Sequence, residues 1–378
     1  MGNYISHKNN NIETDKIIND QKNIIEECHN KILEQTHLIQ VLRNQQEGEF
    51  CVRNGIVQCV EGNCEKDIND TKEKKDYEYL VFSGGGIKGI SYIGALTILD
   101  KLGILCKIKG YAGTSVGSIY AALLAVGYSI DEVNNLMKTT DFENFVDDKW
   151  GYVRDAINFI DDYGVCPGKY AYNLFGDLIK KKTGNADYTI SQLYKDTGIE
   201  LVIVGTDLNN LKSIYFCHNS SCKANRDIPI RKAIRISMSI PFLFEPITHN
   251  NNYCVDGGVL DDFPLHVFDG DFPGQAKARL NLCPPNPKVL GLNIMSSDEI
   301  ENYNADKRQD IDSLIDYSMS FINMFLIENE RRIMTPSYWM RTICIKTPDY
   351  SFRKFSLTSK QKEDLIQAGT KYTNKFFK

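Results

Sequence analysis

Ile18, Ile25, Ile32 and Ile39 recur every seven residues between Thr14 and Gln46, with Ile17, Ile24 and Leu38 beside them and Lys, Glu, Asn and Gln between. This spacing predicts a helix with one apolar seam over about four heptads. A seam of that kind suits self-association or a partner helix across residues 14–46; the alternative is a helix packed on its own domain. From Gly48 to Asp76 the pattern is lost, and Lys66–Lys75 is almost entirely Asp, Lys, Glu, Asn and Thr. That composition predicts a solvated linker, with a domain boundary near Lys75.

Beyond the boundary, short apolar runs alternate with helical spacing. Tyr77–Phe82 reads as a strand, broken by the glycine-rich Ser83–Gly89. Ile90, Ile93, Leu96, Leu99 and Leu102 then mark a helix. Ile108–Ala112 is a second strand, and Ile119–Ala125 a small-residue helix. Residues Asp131 to Gly184 read as mostly helical, with Phe142, Phe145, Trp150, Tyr152, Phe159 and Tyr163 either covering a sheet or forming a lipid-facing wall. Glu200–Asp207 is uninterrupted enough for a buried parallel strand, and Ile214–Cys217 for its successor. A helix within Pro229–Ile240, an apolar loop to Pro246 and a strand at Tyr253–Asp256 follow. After a Pro/Gly-rich stretch (Phe272–Pro287) come strands at Val289–Ile294 and Thr342–Ile345, and helices at Ile311–Arg332 and Thr358–Phe376. This divides the chain into an extension (1–75), a central domain (77–269) and a C-terminal part (270–378) that completes or flanks it.

Charge narrows the partners. In 378 residues, 49 acidic side chains face 44 basic ones, a formal charge of -5, so nucleic acid is not expected as a partner. The 11 cysteines include no C-x-x-C pair; Cys217 and Cys222 bracket His218 without zinc-ligand spacing, so no metal is expected. The first twenty residues lack the apolar core of a signal peptide, and no run of eighteen uncharged apolar residues occurs. The expectation is an intracellular, cytoplasmic protein. Met1-Gly2-Asn3-Tyr4-Ile5-Ser6 fits the N-myristoylation pattern, with Gly2 as acceptor, or is a chance match. One myristoyl chain binds membranes only marginally, so peripheral attachment would need a second contact.

Gly113-Thr114-Ser115-Val116-Gly117 matches G-x-S-x-G, a strand-to-helix turn that presents a serine hydroxyl. One βα unit earlier, Gly84, Gly86 and Gly89 satisfy the dinucleotide-loop spacing, but no acidic residue stands at the ribose-binding position of the next strand. A P-loop would need Gly-Lys-Ser/Thr, which is absent. Backbone amides of Gly84, Gly85, Gly86, Ile87, Lys88 and Gly89 would instead suit an oxyanion hole for acyl transfer. Asp256, before Gly257 and Gly258, ends an apolar strand. Of six histidines only His266 follows it, amid apolar neighbours, so a dyad in which Asp256 takes the Ser115 proton is simpler than a triad.

Three motifs in this order, with Gly205-Thr206-Asp207-Leu208 and Ala233–Pro241 between them, resemble the patatin-like phospholipase family from about Tyr77 to Asp269. The resemblance implies an α/β fold: a three-layer sandwich with a mainly parallel central sheet, here carrying an N-terminal helical extension. It implies calcium-independent hydrolysis of acyl esters by a Ser115–Asp256 dyad, with no cofactor. Gly113 and Gly117 would shape the elbow. Phospholipids or other acyl lipids would be the substrate and a membrane surface the partner. A lysophospholipase or neutral-lipid lipase is the alternative, and a non-catalytic membrane-associated adaptor the alternative of another class. Ser83 departs from the family, many members of which carry aspartate there.

Overall fold

The computed structural model describes residues 51–53, 56–58, 76–146, 163–270, 284–296, 334–348, 350 and 356–378, with scattered positions from 311 to 325. Gly2 and the heptad stripe of residues 14–46 lie outside the described residues, as do Trp150, Tyr152 and Phe159. The chain divides into two compact units, Met1–Lys72 and Glu73–Lys378. In the first, β1 (Cys51–Arg53) and β2 (Ile56–Gln58) pair antiparallel, inside the stretch read from sequence as linker.

In the second unit the strands are β3 (Tyr79–Phe82), β4 (Gly110–Gly113), β5 (Gly164–Cys166), β6 (Glu200–Asp207), β7 (Lys212–Phe216), β8 (Phe242–Phe244), β9 (Ile247–His249), β10 (Asn252–Asp256), β11 (Val289–Ser296) and β12 (Thr342–Thr347). The main sheet runs β12-β11-β3-β4-β6-β10-β9, with β7 on β6; β5 and β8 form a separate two-stranded ribbon. From β12 to β6 every pairing is parallel. β7 and β10 pair with β6 antiparallel, and for β7 loop length is the reason. Four residues, 208–211, join β6 to β7, too few for the crossover that parallel pairing needs. Residues 205–207 pair with both β7 and β10, so those two strands occupy opposite edges of β6.

Side chains alternate between two apolar layers, as the period-two geometry of a strand requires. Leu80 and Phe82, Leu201 and Ile203, Leu290, Leu292 and Ile294 face one layer. That layer is built from α1 (Ser91–Lys101), α2 (Val116–Ala125), α3 (Ile130–Thr139), α4 (Lys169–Thr183), α5 (Ile190–Thr197), α6 (Ile230–Ser237) and α7 (Ser359–Phe377). Val81, Ala112, Val202 and Val289 face the other, where Phe263, Leu265, Val267 and Tyr338 cover them. Burial on both faces is why these strands read as continuous apolar runs. β11 and β12, C-terminal to residue 270, belong to the same sheet. Among the described residues, no helix is long and apolar enough to cross a membrane.

Candidate active site

β3 and β4 lie side by side and parallel, so the loops leaving their C-terminal ends meet. The loop after β3 begins at Ser83, which is fully buried. Its Oγ accepts the N–H of Ile294 on β11 at 3.1 Å and donates to the Gly84 carbonyl at 2.9 Å, while Tyr92 Oη donates to the Ser83 carbonyl at 2.8 Å. The serine that departs from the family pattern thus ties the root of the loop to the sheet. Gly85 and Gly86 then take φ of 140° and 55°, conformations open to glycine at no steric cost. The chain closes into a short 3-10 helix, Gly86–Ile90.

Not all the loop amides remain available. The N–H of Gly84 donates to the Asp262 carbonyl at 3.1 Å, and that of Lys88 to the Gly85 carbonyl at 3.2 Å. Gly89 lies within the short helix, against Val116. The N–H groups of Gly85, Gly86 and Ile87 have no acceptor among the described residues. Of the six positions singled out in sequence, these three present free donors.

The loop after β4 is the elbow. Ser115 sits immediately before α2 with φ 51° and ψ -126°, a strained position for a residue with a side chain. A Cβ on Gly117 would strike the carbonyls of Phe82 and Ser83, and one on Gly113 the backbone of Gly117. The glycines therefore allow helix and strand to approach closely enough to hold the bend. Thr114 Oγ1 donates to the Asp261 carbonyl at 2.9 Å, anchoring the turn from the other side.

Asp256 ends β10, paired with Gly205 of β6. Its carboxylate is buried and accepts the N–H of Gly258 at 2.8 Å, and the Ser115 hydroxyl lies close enough to act on its charge. Burial pushes this carboxyl up to about 8, and the nearby Asp262 adds to the rise; the Gly258 N–H and the Ser115 hydroxyl pull the other way. The structure thus brings Ser115, Asp256 and the glycine loop together.

From sequence alone the segment Ala233–Pro241 has no assigned role. Ser237, at the end of α6, accepts the backbone N–H of Ser115 at 2.9 Å. Two residues on, the Ser239 carbonyl accepts the N–H of Asp256 at 2.8 Å. Arg235, almost fully buried, donates to Ser239 Oγ and to the Pro167 carbonyl, the latter at 2.7 Å. The signal was Ser-x-Ser at the end of an amphipathic helix, which carries no meaning until the helix is seen to abut both strands. The histidines have other partners: His218 stacks on Tyr194, His249 bonds Asn225 at 2.9 Å, and His266 bonds Tyr215 at 3.3 Å beside Asp261.

A cleft of about 540 Å³, open to solvent, runs from Ser115. Apart from Ser115 and Gly86 its walls are apolar, among them Ile87, Ile119, Phe142, Phe145, Met238 and Phe244. Phe142 and Phe145 are buried, forming the wall of this cleft rather than an exposed face. Among the described residues, no group of three or more His, Cys, Asp or Glu could hold a metal ion.

The sequence profile of patatin-like phospholipases matches residues 80–269, half of the chain. Protein R571 of Acanthamoeba polyphaga mimivirus is 29% identical over 314 residues, spanning 82% of this chain and 96% of that protein. The probable lipid hydrolase 463L of Invertebrate iridescent virus 6 is 30% identical over 194 residues, spanning 51% of this chain and 63% of its own. Among solved structures, VipD from Legionella pneumophila superposes with a TM-score of 0.50 at 17% identity, over 80% of this chain and 67% of VipD. The matched region holds the glycine loop, the elbow and the Asp256 turn, and the chain belongs to the patatin-like phospholipase family.

Proposed function

We propose that the protein is a phospholipase A-type acyl hydrolase that cleaves acyl esters of membrane phospholipids through Ser115 and Asp256, without a metal or organic cofactor. The observation that carries this reading is a serine held at a strained strand-to-helix turn on the wall of an apolar cleft, with the buried Asp256 carboxylate beside it. A free carboxylate titrates near 4 and is a poor base for an alcohol; one raised to about 8 is a far better proton acceptor at neutral to alkaline pH.

In the proposed reaction Ser115 Oγ attacks the acyl carbonyl carbon and its proton passes to Asp256. The carbonyl oxygen becomes an oxyanion, met by the free N–H groups of Gly85, Gly86 and Ile87. The bond to the alcohol oxygen then breaks, and the leaving lysolipid takes the proton from Asp256. Water repeats the sequence on the acyl-enzyme, releasing a fatty acid and restoring Ser115. The acyl chain would occupy the cleft between Ile119, Phe145 and Phe244, whose walls offer no hydrogen-bonding side chain beyond Ser115 itself. Such a pocket reads the acyl chain and not the rest of the lipid, so a lysophospholipid or a neutral lipid would also fit it.

Purified protein incubated with mixed phospholipid vesicles should release fatty acid and lysolipid, and the Ser115→Ala variant should release neither. Release by both proteins, or from neutral lipid only, would overturn the assignment.

A further inference from the structure

The turn between β6 and β7 carries Leu208 and Leu211, and Leu211 is 84% exposed at a φ of 52°. Nothing in the hairpin covers it. The neighbouring hairpin of β9 and β10 places Tyr253 beside this turn: the Leu208 N–H donates to the Tyr253 carbonyl at 2.9 Å, and Asn209 Oδ1 accepts the Tyr253 N–H at 2.7 Å. Tyr253 is exposed, and the exposed ring of Tyr163 meets it edge-on with centroids 5.7 Å apart. Four large apolar or aromatic side chains therefore form one raised patch.

We propose that the tips of these two hairpins are the surface by which the protein rests on a phospholipid membrane. Position, charge and residue type argue for lipid as the occupant. β6 passes Gly205, the partner of Asp256, and runs two residues further to Asp207, about 7 Å at the usual rise of a strand. The tips thus project beyond the end of the sheet at which Ser115 and Asp256 lie. The ribbon of β5 and β8 also links the patch to the cleft. Tyr163 adjoins Gly164, Gly164 pairs with Phe242, and Phe244 on that same strand forms part of the cleft wall. A lipid drawn from beneath the tips would reach Ser115 along this ribbon.

The tips carry no exposed carboxylate in a chain with 49 acidic residues. Residues 208–212 read Leu-Asn-Asn-Leu-Lys and 247–253 Ile-Thr-His-Asn-Asn-Asn-Tyr, with Lys212 exposed. Neutral amides, one lysine, two tyrosines and two leucines suit a headgroup layer, where tyrosine places its ring in apolar surroundings and its hydroxyl in water. This inference rests on the lipid-hydrolase reading in one respect, the choice of lipid rather than protein as the occupant.

The test is flotation of the full-length protein, made without acylation of Gly2, on vesicles of phosphatidylcholine with a minor fraction of phosphatidylserine. It compares the wild type, a Leu208→Ser/Leu211→Ser variant, and a Phe321→Ser/Phe325→Ser variant on a second exposed apolar face. The wild type should float, and the leucine variant should bind about tenfold more weakly or worse. Hydrolysis of vesicle phospholipid should fall with binding, while cleavage of a water-soluble short-chain ester stays unchanged. Equal flotation of the wild type and the leucine variant would overturn the proposal. So would loss of flotation confined to the phenylalanine variant, or a wild-type dimer in sedimentation that the leucine variant dissociates. If no ester is hydrolysed by any of these proteins, the enzymatic reading fails, and flotation still decides the surface.

Discussion

Ser237 accepts the backbone N–H of Ser115 at 2.9 Å, and both residues are buried. The first N–H groups of a helix have no intrahelical acceptor, and Ser115 caps α2 without a side-chain bond of its own. Ser237 fills that vacancy from α6, and the Ser239 carbonyl holds Asp256 from the same segment. One short stretch of chain thereby fixes the spacing of the two residues proposed to react.

Replacing Ser237 by alanine leaves a buried N–H unpaired, at a cost of about 1–3 kcal/mol in stability. On the proposed reading it also loosens the elbow. Ser237→Ala should lower kcat by about tenfold or more, with KM for a short-chain ester nearly unchanged, because the contact orients the nucleophile and not the substrate. Steady-state kinetics with a chromogenic ester, beside a thermal melt, separates the two effects. An unchanged kcat would refute the orienting role.

The pH dependence follows from the Asp256 carboxyl. A general base works only when deprotonated, so kcat/KM should rise about tenfold per pH unit on the acid side and level off above about pH 8. A profile already flat from pH 5 upward would mean that Asp256 is an ordinary carboxylate or not the base.

The same group ties stability to pH. Its folded-state pKa, about 8, lies above the ordinary value of 3.8, so folding favours the protonated form. Its contribution to stability is full below about pH 4 and is lost as pH rises through about 8. Asp256→Asn removes the cost of a buried charge. The melting temperature of the variant should gain on the wild type from pH 6 to pH 9, while its activity is lost. A gap that narrows as pH rises would contradict the assignment of the shift to burial.

The cleft makes a prediction about chain length. Ile240 lies on its wall and is only half-buried, so a larger side chain can be accommodated there. Ile240→Trp should reduce kcat/KM for long-chain esters by about tenfold while sparing butyrate esters, since lost apolar contact is worth about 1–3 kcal/mol per methylene or so. A chain-length series measures this directly. Equal losses for short and long chains would place the acyl group elsewhere.

The parts of the fold legible in the sequence were those with local causes. The β3 loop and the elbow announce themselves because a positive φ at Gly85 and Gly86, and the close approach at Gly117, exclude other residues. The edges of the sheet were less legible. Glu200–Asp207 reads as one parallel strand, yet two of its three neighbours run antiparallel, β7 because of the short loop that joins it and β10 because the chain returns to the sheet through a distant hairpin, neither of which the strand's own residues show. β5 is three residues long and falls in the stretch Asp131–Gly184, which reads as mostly helical. Of the site, Ser115 and Asp256 stand out in sequence. Ser237, Ser239 and Asp262 do not, because their contributions depend on contacts across the sheet.

The most direct test of the central claim is covalent. The wild type, Ser115→Ala and Asp256→Asn would each be treated with a serine-directed fluorophosphonate and analysed by intact mass and peptide mapping. One adduct is expected on the wild type, located on Ser115, none on Ser115→Ala, and labelling slowed by at least about a hundredfold on Asp256→Asn. An adduct that persists in Ser115→Ala, or full-rate labelling of Asp256→Asn, would contradict that claim.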